Sequence, residues 1–84
     1  MDEYEVLGIL TTVGKEGKVF STLYFATEFP AYRAEKAVRA EGVVVVKENT
    51  SLDVSSLKVG DLVNLVYTRG YEDRAKLVKI IKVQ

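Results

Sequence analysis

The feature that most restricts the fold of this chain is a basic, glycine-flanked turn set between two β-branched, aromatic-rich runs. Gly14, Lys15, Glu16, Gly17 and Lys18 separate Tyr4–Val13 from Val19–Thr27. Glycine accepts the positive φ values that tight turns demand, and Val, Ile, Thr, Tyr and Phe suit a pleated, half-buried surface. The two runs therefore predict an antiparallel hairpin. Alternation along the second run puts Phe20, Thr22 and Tyr24 on one face and Val19, Leu23 and Phe25 on the other. One face can be core while the other offers rings beside two lysines; the plainer alternative is a hairpin whose rings are all buried.

Further along, Val43, Val44, Val45 and Val46 follow Gly42. Four adjacent β-branched side chains are poor in a helix and natural in a sheet, which predicts a short strand buried on both faces at the centre of the core. Residues 62–68 and 75–83 read as two more strands, joined by a loop of Arg69, Gly70, Tyr71, Glu72, Asp73 and Arg74. The last strand alternates imperfectly, with Lys79 among Leu77, Ile81 and Val83, and a bulge or two-sided burial would explain it.

Between the second and third strands, residues 30–41 carry a leading proline, four alanines after it, a Glu35-to-Arg39 spacing and a closing Gly42, which predict a short helix. An arm that orders only with a partner is the alternative. Residues 48–57 are the most polar connection, and Leu57, Lys58, Val59, Gly60 and Asp61 turn the chain into the fourth strand. Five strands and one helix in 84 residues predict a single mainly β domain, a small OB-like or SH3-like barrel, whose closure removes exposed sheet edges.

The composition narrows function by exclusion. Apolar residues make up 48% and charged residues 29%, the balance of a globular chain rather than a disordered one. With no cysteine and no histidine, disulfides, thiol catalysis, Cys/His zinc sites and the usual neutral-pH base are all missing. The adjacent acidic pairs, Asp2 with Glu3 and Glu72 with Asp73, fall at a terminus and a loop tip, where solvated surface charge explains them, because a catalytic carboxylate usually needs partial burial. Neither an enzyme nor a cofactor is expected. No run approaches the about 18 apolar residues of a membrane span, and the acidic start is unlike a signal peptide, so a cytoplasmic protein without membrane contact is expected.

Twelve basic and twelve acidic residues cancel overall, but residues 62–84 carry five basic against two acidic groups, a local balance of +3. That leaves room for a basic side. Tyr71 stands between Arg69 and Arg74, a ring flanked by guanidinium groups of the kind that suits unpaired bases. Tyr32 beside Arg33 repeats the pairing.

Three stretches resemble a known family. The turn Gly14, Gly17, Lys18, Val19, Phe20, Ser21, the step Phe29, Pro30, and the run Val54, Ser55, Ser56, Leu57, Lys58, Val59, Gly60 are similar to the DNA-binding ribbon and pre-terminal turn of the filamentous-phage single-stranded DNA-binding, or helix-destabilising, proteins. The resemblance implies an OB-like homodimer with Lys15, Lys18 and Phe20 on a binding ribbon and Tyr24 as a neighbour. The chain is also similar to small open reading frames of Gram-positive phages and mobile elements.

The functional expectation is non-specific single-stranded DNA binding. Lys15, Lys18, Arg69 and Arg74 would meet phosphates, and Phe20, Tyr24 and Tyr71 would meet bases. The rival expectation is a phage or mobile-element interaction module, in which the same rings and the 31–41 segment bury against a partner chain.

Overall fold

The computed structural model describes residues 3–70, 72 and 74–83. They form one antiparallel five-stranded sheet of β1 (Tyr4–Val13), β2 (Val19–Thr27), β3 (Val44–Thr50), β4 (Leu62–Arg69) and β5 (Ala75–Lys82), in the spatial order β3-β2-β1-β4-β5. Three meandering strands followed by a fourth that returns beside the first make a Greek key. Among the described residues no ladder joins β3 to β5, so the sheet curls without the closing pair of a complete barrel.

The Tyr67 hydroxyl on β4 nonetheless donates to Glu48 Oε2 on β3 at 2.8 Å, an exposed bond between two strands that are not neighbours in the sheet. Burial, and then this bond to a carboxylate, hold the Tyr67 phenol well above its ordinary value. No helix among the described residues is long and apolar enough to cross a membrane.

The core forms where inward positions of β1, β2 and β4 converge. Val6, Leu23, Phe25 and Val63 are fully buried, and Val54 plugs one end. Tyr4 packs edge-on against Phe25 with centroids 6.0 Å apart. The polar connection therefore supplies a core residue, and residues 48–50 belong to β3 rather than to a loop. Here Ser55 N–H donates to Asp53 Oδ1 and Leu52 N–H to Thr50 Oγ1, satisfying backbone groups while Val54 points inward.

Two bulges adjust the alternation. Leu7 is the extra residue in β1, between the pairs Val6–Phe25 and Gly8–Tyr24. Val78 is the extra residue in β5, where Val66 faces Lys79 but Tyr67 faces Leu77. That bulge lets Leu77 and Ile80 both turn toward the interior despite their odd spacing.

The valine run is corrected. β3 pairs only with β2 and is a sheet edge, leaving Val43 55% and Val45 58% exposed, while Val44 and Val46 are half-buried. β-branched residues favour extended backbone whether a strand is central or marginal, so the run specified a strand but not its place. The helix is corrected in length. Only Ala31–Ala34 is helical, one turn in which Pro30 O accepts the Arg33 and Ala34 N–H groups. Val38 is fully exposed, and without a buried apolar face a helix this short is not sustained.

Candidate nucleic-acid interface

Register builds the candidate site on the outer face of β1, β2 and β3. Thr12 faces Phe20, Leu10 faces Thr22, and Gly8 faces Tyr24; on the other side Thr22 faces Asn49 and Tyr24 faces Lys47. Directly opposed residues share a face, so Phe20, Thr22, Tyr24, Lys47 and Asn49 form one platform. Phe20 is 48% and Tyr24 38% exposed, whereas Leu23 and Phe25 between and beyond them are buried. The β2 alternation thus separates core from platform.

Glycines set how the rings lie. A Cβ on Gly8 would stand 3.5 Å from Tyr24 Cδ1, and one on Gly14 would stand 3.1 Å from Phe20 Cε2. Tyr24 therefore rests over its cross-strand partner Gly8 in β1, as aromatic residues do when they cover cross-strand glycines, while Phe20 reaches past its partner Thr12 to Gly14, just beyond the strand. One surface of each ring is supported and the other is open. Phe20 and Tyr24 are four residues apart on one strand, about 13 Å at the usual rise, enough for a single strand to run between them.

The turn at 14–18 puts charge beside Phe20. Gly14 N–H donates to Lys18 O at 2.7 Å, closing the loop around a single 3-10 turn, Lys15–Gly17, with Glu16 at φ 63° and Gly17 at φ 76°. Lys15 and Lys18 are exposed. The 70–74 loop is closed in the same way by Gly70 N–H donating to Arg74 O. A Cβ at Gly70 would lie 2.7 Å from that carbonyl oxygen, which is why this position is glycine. Arg69 and Arg74 are exposed at the two ends of the loop, and Tyr71 lies outside the described residues.

The second hairpin reaches the platform through β3. A cleft of about 420 Å³ is lined by residues 49–52 on one side and 75–78 on the other. The exit of β3 and the start of β5 thus share one surface, with Asn49 on the platform side and Lys76 next to the 70–74 loop. Lys47, Asn49, Thr22 and Lys76 are additions that sequence reading missed. Lys47 and Asn49 sit in a continuously polar run with Glu48 and Thr50, so no alternation marks them, and their place beside Tyr24 and Thr22 follows only from register.

Among the described residues no group of His, Cys, Asp or Glu side chains is arranged to hold a metal ion. Asp61 and Asp53 have lowered pKa values, yet both serve turns: Lys58 N–H bonds Asp61, aided by Lys82 at 3.3 Å, and Ser55 bonds Asp53. No family model, curated protein or solved structure matches this chain.

Proposed function

We propose that this chain binds single-stranded DNA without strong sequence preference, across the outer face of β2 and β3. The observation that carries the proposal is the pair of half-exposed rings, Phe20 and Tyr24, each backed by a glycine and flanked by lysine. Stacking on a supported ring costs little ordering entropy, and lysines or arginines along the path hold phosphates by releasing counterions. In small antiparallel barrels of the OB type, the strand 2–3 face with the 1–2 and 4–5 loops is where oligonucleotides lie. The corresponding elements here are the platform, the 14–18 turn and the 70–74 loop. Lys15, Lys18, Lys47, Arg69 and Arg74 meet phosphates; Phe20, Tyr24 and Tyr71 meet bases. Anisotropy titration of a labelled oligo(dT) tests this, with binding expected at low salt and absence of binding refuting it.

A second reading, a protein-interaction module, is favoured by one observation. The β5 edge carries Lys76, Lys79 and Lys82, which discourage strand addition, whereas residues 43–46 on the β3 edge have no charge and expose Val43 and Val45. In that reading a partner strand, a second copy of this chain included, extends the sheet beyond β3. Sedimentation against concentration tests it: self-association abolished by Val45→Lys supports a homodimer, and a monomer at all concentrations removes the second copy.

A further inference from the structure

The pairing of β1 with β4 stops early and leaves an edge of β1 uncovered. Only Tyr4 and Glu5 pair with β4, through Val63 and Leu62. Val6 then bonds the turn ahead of β4: its N–H donates to Asp61 O, and its C=O accepts the Gly60 N–H. Beyond the Leu7 bulge, β1 runs on to Val13 with β2 as its one strand partner among the described residues.

The ladder determines which backbone groups stay open. Antiparallel partners alternate between pairs that exchange hydrogen bonds and pairs whose N–H and C=O groups point outward. Gly14 N–H donates to Lys18 O, so that pair is of the first kind. Counting back along β1, Val13, Thr11 and Ile9 are of the second kind, and their N–H and C=O groups point away from β2. Val6, across the bulge, points the same way, as its bonds to Asp61 and Gly60 show.

Nothing along this edge repels a strand. Residues 7–13 contain neither a charge nor a proline, and Leu10 is 59% and Val13 70% exposed. Sheets blunt open edges with charge, proline or cover, as the lysines of β5 do. The β3 edge is charged over its second half, at Lys47 and Glu48.

The β1 edge is also complementary to itself. A two-fold axis normal to the sheet sets two copies of β1 antiparallel and keeps every residue on its own face. Centred on Thr11, the pairing engages all the outward residues: Thr11 meets its own copy, and Ile9 meets Val13 in both directions, with two backbone bonds per pair. Centred on Leu10 it would set Val13 against the Leu7 bulge, and centred on Thr12 it would set Ile9 against Lys15 in the turn. In the Thr11 register β-branched Ile9 and Val13 lie side by side on one face, and Leu10 and Thr12 on the other.

We propose that the Ile9–Val13 edge of β1 is an interaction surface whose partner is a second copy of this chain, paired Thr11 to Thr11 in one continuous sheet. The pairing does not rest on single-strand binding, and it uses a different edge from β3. It places the Phe20 and Tyr24 rings of both copies on the same face of that sheet.

Sedimentation equilibrium of the wild-type chain and the variants Thr11→Lys, Thr11→Glu, Val13→Pro and Val45→Lys tests this, with circular dichroism confirming that each is folded. Wild type should show a concentration-dependent dimer. Thr11→Lys and Thr11→Glu each set like charges directly opposite and should be monomeric, whereas their equimolar mixture sets opposite charges there and should recover the dimer. Val13→Pro removes an outward N–H from each copy and no bond within the hairpin. Its dimer dissociation constant should rise about tenfold or more, the worth of two net hydrogen bonds. Val45→Lys, on the β3 edge, should dimerise as wild type does. A monomeric wild type, a dimer that survives both Thr11 substitutions, a mixture of the folded Thr11 variants that stays monomeric, or undiminished pairing in Val13→Pro overturns the proposal.

Discussion

Replacing Phe20 by alanine removes a ring that is half in contact with protein and half open, so its effects on stability and on binding can be separated. At 48% exposure about half of the side chain is buried, and full burial of a phenylalanine is worth about 1.5–3 kcal/mol, so Phe20→Ala should cost about 1 kcal/mol of stability. For a domain of this size that lowers Tm by about 4–8 °C, well short of unfolding at room temperature. A base stacked on the open surface is worth about 1–3 kcal/mol, so the dissociation constant for oligo(dT) should rise about 5- to 140-fold. Thermal melting by circular dichroism gives the first quantity, and anisotropy titration well below Tm gives the second. Phe20→Tyr keeps the ring and should keep the affinity. Unchanged binding in Phe20→Ala would refute stacking at this residue. A loss of stability of about 3 kcal/mol or more, the range of buried phenylalanines, would show that the ring is core.

Three further outcomes test other parts of the account. Gly70→Ala drives a methyl into the Arg74 carbonyl oxygen, 2.7 Å from the new Cβ, and should destabilise by about 1–3 kcal/mol in urea unfolding, whereas a silent substitution would remove the close approach. Phe25→Ala should cost about 3–5 kcal/mol, but Val45→Ala, on the exposed edge, should stay within about 0.5 kcal/mol; comparable losses would return β3 to the core. Asp61 has a lowered carboxyl pKa, chiefly through the Lys58 N–H, so its folded form binds a proton less readily than the unfolded chain. Its contribution is therefore complete above the ordinary value of 3.8 and is lost as pH falls through the lower folded value. Asp61→Asn should abolish that part of the acid loss, and parallel wild-type and variant unfolding midpoints from neutral pH down to the acid limb would contradict it.

The first hairpin is legible in sequence because everything that specifies it is local. Glycine and lysine define the turn, and period-two alternation from Phe20 to Phe25 sorts outer rings from core, since both strands lie within one short stretch. The valine run shows the limit of that reasoning. Val43 to Val46 encode extended backbone, but whether β3 has one neighbour or two depends on where β4 returns, and no residue in the run carries that information. The alanines of residues 31–41 mislead for a related reason: helix formers hold a helix only where an apolar face has something to cover, and Val38 in this segment covers nothing.

The candidate site divides along the same line. Phe20, Tyr24, Lys15 and Lys18 announce themselves as a ring-and-charge ribbon. Asn49 is set against Thr22 by a register spanning 27 residues, and Lys76 reaches the same cleft from the far end of the sheet, so neither is visible without the fold. What the rings rest on is set by register within the first hairpin rather than by composition. Gly8 and Gly14 look like ordinary turn and strand glycines until Tyr24 and Phe20 are laid across them.

The most direct test of single-strand binding is the salt dependence of oligo(dT) affinity for the wild-type chain. Each phosphate neutralised on a single strand contributes a slope of about −0.7 in log affinity against log salt. With Lys15, Lys18, Lys47, Arg69 and Arg74 as phosphate contacts, the account predicts measurable binding at low salt and a slope of about −3 to −4. Affinity that does not change with salt, or no binding at the lowest salt, would contradict it.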